Sequence, residues 1–218
     1  PEESIRPMRT TLNSSASTAS FVAMAADTAA FANISAGGSR STLARSLAVE
    51  GMTIGNRLGI HPMEGWDCET DGRPSEYTVR RWQRFGQSGA KLIWGGEACA
   101  VRPDGRANPR QLMIAEPTLS GIAGLREGLV KAHIAATGDD RGLVVGLQLT
   151  HSGRFCKPHD NRRFESIIAY RHPVLDRKFG VPADRAPISD DEIRRLIEDY
   201  VLAARRARQC GFDFVDIK

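Results

Sequence analysis

Residues 142–154 read GLVVGLQLTHSGR, an apolar run of strand length that ends in polar side chains. A continuous apolar run of this length predicts a strand buried on both faces, as in a parallel sheet. Three other strands are predicted: RLGIHP at 57–62, which Pro62 ends, AKLIW at 90–94, which is apolar apart from Lys91, and FDFVDI at 212–217, in which Asp213 and Asp216 are inserted. Ahead of them, SLAVEGMTIGNRL at 46–58 places apolar residues around a glycine, which predicts a β-hairpin.

Helical patterns separate these runs. Residues 74–88 have Val79, Trp82 and Phe85 at helical spacing behind Ser75 as an N-cap. A second helix is predicted at 117–137, with an apolar stripe of Leu119, Ile122, Leu125, Leu129 and Ile134. A third is predicted at 189–210, with an apolar stripe of Ile193, Leu196, Ile197, Tyr200, Val201 and Ala204. Strands that alternate with helices predict an α/β fold in which crossover helices cover a parallel sheet.

Polar segments follow the strands where they end. They are HPMEGWD at 61–67, GGEACAV at 95–101 and QLTHSGR at 148–154. Polar groups at the carboxyl ends of successive parallel strands are typical of the active face of a (β/α)8 barrel. A dinucleotide-binding doubly wound sheet is disfavoured, because no G-x-G-x-x-G follows the first strand. A whole barrel takes about 250 residues, so the chain is expected to hold the first four strands of a TIM barrel.

Composition excludes several classes of protein. The 218 residues are 41% hydrophobic, and 30 basic against 26 acidic residues leave a net charge of +4. No dense Lys/Arg block occurs, so nucleic-acid binding is not expected. No apolar run is long enough to span a bilayer. The four cysteines are far apart and lack a C-x-x-C pair, which favours a reducing, cytoplasmic location over a disulfide framework.

Two regions are predicted. Residues 1–45 form a tail rich in alanine and serine, which buries too little apolar area to offset its ordering entropy. We expect this tail to be poorly ordered, apart from a weak helix at 21–32. Residues 46–218 form the partial barrel.

Four motifs resemble one known family. GNRLGIHPMEGWD, GAKLIWGGEACAVRPDGR, GLQLTHSGR and GFDFVDIK occur in the order and approximate spacing of the Old Yellow Enzyme family of FMN-dependent oxidoreductases. The resemblance covers residues 47–218, the first half of that family's barrel. It implies that FMN lies across the barrel mouth. Pro62, Met63 and Glu64 would line the flavin through backbone groups, the Ala98 amide would reach a flavin carbonyl, and Gln148 would bind the pyrimidine edge, for which an amide has both donors and an acceptor.

Two residues depart from the family pattern. Where relatives have the first carbonyl-binding group, often a histidine, this chain has Lys218, which carries donors only and would act as the catalytic residue by polarising a carbonyl or stabilising reduced flavin. Glu64 replaces the usual threonine or cysteine, and a carboxylate there would tend to lower the flavin potential. His151 and Arg154 of the third motif are interpreted mainly as scaffold.

The leading hypothesis is an FMN-dependent oxidoreductase that resembles ene-reductases. NADPH or NADH would give hydride to the flavin, which would pass it to an activated alkene or a similar small acceptor. The loop at 154–187 would shape the substrate pocket, since long loops in compact domains are usually functional.

Two other hypotheses remain open. A metal-dependent barrel hydrolase would use His61, Glu64, Glu97 and His151, although neither His-x-His nor His-Glu-x-x-His occurs. The other is a non-catalytic fragment, a half-barrel that needs a C-terminal half, or a second copy of itself, to pair its exposed sheet edge and bind FMN. Flavin colour, metal content, or flavin gained only when the other half is supplied would distinguish the three.

Overall fold

The computed structural model describes residues 22–23 and 40–218. The strands and helices in chain order are β1 Val22–Ala23, α1 Arg40–Leu43, β2 Leu47–Val49, β3 Met52–Ile54, β4 Gly59–Ile60, α2 Glu76–Gln87, β5 Leu92–Ile93, β6 Ala98–Ala100, α3 Leu119–Thr137, β7 Val144–Thr150, α4 Pro173–Lys178, α5 Asp190–Gln209 and β8 Phe214–Ile217. Short 3-10 turns lie at Pro103–Gly105, Glu116–Thr118 and Gly153–Phe155. The predicted hairpin, the four strand positions and the three long helices are all present.

The main sheet is parallel, with the strand order β4–β5–β7–β8–β1. Strand β6 follows β5 and pairs with the second half of β7. From β4 to β8, each strand–helix unit adds its strand beside the previous one, as in the wall of a (β/α)8 barrel. The antiparallel hairpin of β2 and β3 forms a separate small sheet.

Alternate residues of the strands point to the inside of this wall. Near the strand beginnings they are apolar: Leu92, Val144 and Phe214 pack together with Ile54 of the hairpin. Gly146 faces Phe214, and a Cβ at Gly146 would lie 2.3 Å from that ring, so only glycine leaves room for the phenylalanine. The two-residue period then brings the polar residues at 148, 216 and 218 onto the same inner face, closer to the carboxyl ends.

The opposite faces of the strands pack against the helices. This larger core includes Ile93, Val145, Leu147, Leu149 and Val215 from the sheet and Trp82, Leu125, Leu129, Ala203 and Ala207 from the helices. Ser75 and Ser189 cap α2 and α5 through the predicted N-cap hydrogen bonds. Each cap satisfies backbone N–H groups that the first helical turn leaves unpaired.

The helices bury most but not all of their predicted stripes. Trp82, Ile122, Leu125 and Leu129 are buried as expected, and Phe85, Leu119, Leu196, Tyr200 and Ala204 pack against the core. Val79, Ile134, Ile197 and Val201 are 39% to 58% exposed. The helices also bury Thr78, His133, Ala203 and Ala207, which the stripes did not include. On α5 the reason is side-chain size, because two alanines let the helix backbone approach the sheet closely and leave the larger residues at the rim.

The predicted tail lies mostly outside the described residues. Within the helix expected at 21–32, the structure describes only Val22–Ala23, which form a strand parallel to Phe214 and Val215, so the helix prediction is wrong there. The edge of β8 offers unpaired backbone groups that favour strand pairing at that place. Arg40–Leu43 also has regular structure within the predicted tail.

Three further predictions concern the described residues. Segment 154–187 is irregular apart from α4 and the turn at its start, as expected of a long loop. All four cysteines are free and buried. None of the helices in 40–218 is both long and apolar enough to cross a membrane.

Candidate functional site

The carboxyl ends of the barrel strands lie side by side. Ala98 on β6 is opposite Gln148 on β7, and Gln148 is opposite Asp216 on β8. Pro62 follows β4 and joins them, because a Cβ placed on Gly95 would lie 3.0 Å from Gln148 Cβ and 3.1 Å from Pro62 Cβ. The structure therefore brings Pro62, Ala98 and Gln148 to one edge of the sheet.

Gln148 and Asp216 form the floor between β7 and β8. Gln148 Nε2 donates to Asp216 Oδ2 over 2.6 Å, and a carboxylate only accepts, which fixes the orientation of the amide. Among the described residues, no group donates to Gln148 Oε1, so this oxygen stays available as an acceptor. The sequence interpretation did not name Asp216 as a site residue. A signal existed, because the two-residue period of β8 puts it on the face of Phe214 and Lys218.

The Ala98 amide points away from β7. Val101 N–H donates to Thr150 O, whereas Ala100 N–H donates to Leu112 O on the other side of the strand. Since successive N–H groups of a strand alternate in direction, Ala98 N–H shares the direction of Ala100 and is not used by β7. Ala98 O accepts from Gln111 Nε2 over 2.8 Å, and Gln111 is fully buried. No sequence signal pointed to Gln111.

Glu64 and Lys218 form an ion pair between the first and the fourth strand ends. Lys218 Nζ lies 2.8 Å from Glu64 Oε1, and Trp66 Nε1 donates to Glu64 Oε2 over 3.0 Å. Trp66 has a φ of 51°, an uncommon conformation for a residue with a side chain. The Lys218 ammonium has three donors, of which Glu64 takes one. Met63, between Pro62 and Glu64, is 69% exposed.

A buried charge network supports the turn that carries Glu64. Arg81 donates to both oxygens of Asp67, at 3.1 and 2.8 Å, and to Glu97 Oε2 at 2.8 Å. Glu97 Oε1 accepts from Gly65 N–H over 3.1 Å. A Cβ on Gly65 would lie 2.0 Å from Arg81 Nη2, so glycine is required where the guanidinium packs on the turn. Sequence analysis did not find Arg81.

Burial and charge shift the pKa values in this network in different directions. Burial raises the pKa of Glu97, and the Arg81 cation only partly offsets that effect. For Asp67, burial is outweighed by hydrogen bonds from Arg81 and Thr78, so its pKa is lowered. Burial and the nearby Glu97 charge raise the pKa of the Cys68 thiol to about 12. Glu97 thus depends on Arg81 to carry a charge in the core.

The described residues do not bring together the ligand set of the metal-hydrolase hypothesis. The group with metal-ligand spacing that they contain is Asp67, Cys68 and Glu97, which includes neither His61 nor His151. Arg81 already supplies a cation to both carboxylates of this group. His151 lies instead beside Gly105 and accepts from Gly153 N–H, which agrees with its interpretation as scaffold.

Comparisons with known proteins agree with this geometry. A model of the NADH:flavin oxidoreductase / NADH oxidase family matches residues 43–218. The NADPH dehydrogenase of Geobacillus sp. (strain WCH70) is 31% identical over 179 residues, which are 78% of this chain and 45% of that protein. The NADPH dehydrogenase of Bacillus subtilis (strain 168) is 26% identical over 175 residues, 78% of this chain and 46% of that protein. The chain thus spans about half the length of the curated relatives it matches.

Solved structures also align with this chain over about half of their own length. The Old Yellow Enzyme homologue from Zymomonas mobilis aligns with a TM-score of 0.62 at 22% identity, over 81% of this chain and 48% of its own. Morphinone reductase aligns with a TM-score of 0.59 at 23% identity, over 80% of this chain and 47% of its own. At these identities the likeness concerns the fold alone, and it confirms the partial (β/α)8 barrel.

Proposed function

The chain belongs to the NADH:flavin oxidoreductase / NADH oxidase family, and we propose that it forms the flavin floor of an FMN-dependent oxidoreductase. The enzyme would take hydride from NADPH or NADH and deliver it to a small electrophilic acceptor such as an activated alkene. One observation carries this proposal: Pro62, Ala98, Gln148 and Lys218, at the ends of four neighbouring strands, converge on one edge.

The polar groups at this edge fit the pyrimidine end of a flavin. Gln148 keeps its Oε1 as an acceptor for a ring N–H, because Asp216 holds its nitrogen. Ala98 directs its N–H away from the sheet pairing with β7, which suits a ring carbonyl, and its methyl group leaves space for a flat ring. Pro62 and Met63 would line the ring through backbone groups. Bound FMN would supply the redox chemistry, accepting hydride from a reduced nicotinamide and releasing it to the acceptor.

Lys218 is proposed to bind the acceptor. Its two remaining N–H donors would hold the acceptor carbonyl and stabilise the negative charge that develops on that oxygen. Glu64 restrains the ammonium through the 2.8 Å ion pair, and Trp66 restrains Glu64 in turn. This arrangement fixes a flexible lysine at a defined place, which a solvent-exposed lysine on its own would not achieve.

An FMN titration of the purified chain tests the proposal. Gln148→Ala should weaken FMN binding by about 3- to 10-fold, since a hydrogen bond contributes about 0.5–1.5 kcal/mol. Gln83→Ala is the matched control, because Gln83 is exposed on α2. The absorbance band of oxidised flavin, at about 450 nm, should fall when NADPH or NADH is added in the absence of oxygen. Equal affinities of the two variants would remove Gln148 from the site.

The half-length match favours a second candidate. The chain would then be one part of the flavin site and would need the second half of a barrel, or another copy of itself, as a partner. In that case FMN binds only when the C-terminal half of a relative is added, and the effect of Gln148→Ala appears only in that mixture.

A further inference from the structure

Tyr200 is the residue of the α5 stripe whose polar end reaches the candidate site. Its ring packs against the core between the helices and the sheet, and its hydroxyl donates to the Lys218 backbone oxygen over 3.0 Å. A phenylalanine would fill the same volume in the core, so the hydroxyl adds a contact that packing does not require. Buried tyrosines usually have a hydrogen-bond partner, and here that partner is the residue proposed to bind the acceptor.

The ladder between β7 and β8 changes at its carboxyl end. Leu149 lies opposite Ile217, and Lys218 N–H continues the ladder by donating to Leu149 O over 2.9 Å. In a parallel ladder, the oxygen of the same residue next accepts from the N–H two positions further along the partner strand, which here is that of His151. The Tyr200 hydroxyl takes this place as the donor to Lys218 O.

The N–H that would have completed this rung of the ladder also meets Tyr200. Burial raises the pKa of Tyr200, and a hydrogen bond from the His151 backbone partly offsets that effect. His151 N–H therefore donates to the hydroxyl oxygen, and the hydroxyl donates in turn to Lys218 O. A side-chain hydroxyl is thus inserted between two strands that would otherwise bond directly. The raised pKa keeps it protonated, and able to donate, at neutral pH.

The turn that carries His151 is anchored on the protein. Ser152 N–H donates to Gly105 O over 2.8 Å, and His151 Nδ1 accepts from Gly153 N–H over 3.1 Å. A Cβ on Gly105 would lie 2.5 Å from the His151 ring, so the ring packs directly on the backbone of this residue. Tyr200 therefore links Lys218 to a well-held part of the barrel.

Lys218 is held on both sides of its Cα atom. Its N–H is bound by Leu149 and its oxygen by Tyr200, so its side chain leaves the strand in a defined direction. Strands β8 and β4 are three strand spacings apart, at about 4.8 Å each. The ammonium nevertheless lies 2.8 Å from Glu64, which follows β4. Because the lysine spans this gap only when it points across the barrel mouth, a small rotation of its backbone would break the ion pair.

We propose that Tyr200 is a positioning residue for Lys218. Its hydroxyl forms the last rung between β7 and β8 and holds the two strand ends further apart than a direct hydrogen bond would. Lys218 is thereby directed over the site toward Glu64, while Gln148 on β7 keeps its place. The role of this arrangement in binding the acceptor rests on the proposed function, whereas the control of the Lys218 side chain by Tyr200 does not.

NMR of the full chain labelled with 13C-lysine tests the control of the side chain. The chain has five lysines, and Lys218→Arg identifies the ε-methylene signal of Lys218. The two ε-protons should have separate shifts in the unaltered chain, because Glu64 holds the ammonium, and these shifts should merge in Tyr200→Phe as they do in Glu64→Gln. Tyr77→Phe is the matched control, since it removes a hydroxyl from an exposed ring on α2. Separate shifts that persist in Tyr200→Phe overturn the proposal.

Hydrogen exchange of the His151 amide tests the inserted rung. This amide should exchange about 3- to 10-fold faster in Tyr200→Phe, the factor that corresponds to one hydrogen bond. The Val145 amide donates to Asp213 near the other end of β7, over 2.8 Å, and should keep its rate. Equal acceleration of both amides would indicate a general loss of stability, and an unchanged rate at His151 would show that Tyr200 does not complete the ladder. Either result refutes the rung.

Kinetics of the FMN-loaded enzyme test the consequence for the acceptor. Tyr200→Phe should lower kcat/KM for the acceptor by about 3- to 10-fold and leave the affinity for FMN unchanged, because Gln148 and Ala98 do not depend on the hydroxyl. An unchanged kcat/KM, or an equal loss in FMN affinity, would contradict a role in placing Lys218. The NMR and exchange measurements need no FMN, so a chain that passes both but does not bind FMN contradicts only the proposed function.

Discussion

Replacing Arg81 by methionine tests the network beneath the Glu64 turn. Arg81 makes two hydrogen bonds to Asp67 and one to Glu97, whose side chain is completely buried. Methionine keeps most of the side-chain volume and removes the charge. Removing one partner of a buried ion pair costs about 3–5 kcal/mol, because the other charge is left uncompensated. A domain of this size has a total stability of about 5–15 kcal/mol, so the variant should still fold.

The unfolding free energy lost in Arg81→Met should depend on pH. Burial already raises the pKa of Glu97, and Arg81 opposes that effect, so the pKa rises further in Arg81→Met. The native variant then keeps a proton on Glu97 that the unfolded chain releases above about pH 4.5. Unfolding free energy therefore falls as the pH rises through the range between these two pKa values, by at most about 1.4 kcal/mol per pH unit. The destabilisation should be larger at pH 8 than at pH 5.

Urea denaturation at pH 5 and pH 8 measures this difference. Arg80→Met is the control, because Arg80 is exposed one position earlier on α2. Arg81→Met with Glu97→Gln should recover about 2 kcal/mol at pH 8, since the buried charge is gone while an acceptor for Gly65 N–H remains. The reasoning is refuted if Arg81→Met loses the same free energy at both pH values and the second substitution restores nothing.

Two further predictions concern packing and the thiols. Gly95→Ala should lower the free energy of unfolding by about 1–3 kcal/mol, because the new Cβ would lie within 3.1 Å of Pro62 and Gln148. Gly124→Ala, on the open face of α3, should raise it by about 0.5–1 kcal/mol. Equal urea midpoints for the two variants would contradict this. Burial raises the pKa values of Cys68 and Cys156 to about 12, so the native state keeps protons that the unfolded chain loses near pH 9, and unfolding free energy should fall as pH rises from about 9 to 12. Replacing both cysteines by alanine should make this slope smaller without abolishing it, because burial also raises the pKa values of Cys99 and Cys210, and an unchanged slope would argue against buried thiols at positions 68 and 156.

The parts of the structure that follow local rules could be predicted from the sequence. Ser75 and Ser189 each precede a helix with a side chain suited to cap it, and both form those caps. The apolar runs predicted the positions of the strands, and the alternation of strands and helices predicted the barrel wall. The rotation of α5 was only partly predictable, because this helix packs most closely through Ala203 and Ala207, which an apolar stripe based on large residues leaves out.

The positions of the site candidates were predictable where one strand end supplied one residue. Gln148 and Ala98 were named from motifs, and their neighbouring positions in the sheet follow from parallel pairing. The contacts of Arg81 with Glu97, and of Glu64 with Lys218, join distant parts of the chain. No spacing rule connects such residues, since their approach depends on how the turn after β4 folds over the sheet.

The Glu64–Lys218 ion pair joins residues that are 154 positions apart. Bringing such distant segments together costs chain entropy that local contacts do not share, so this pair is expected to form late in folding. No shorter piece of the chain between these residues can assemble the edge where they meet. The pair should therefore form only when the whole wall is complete, and it should be absent from partly folded or clipped molecules.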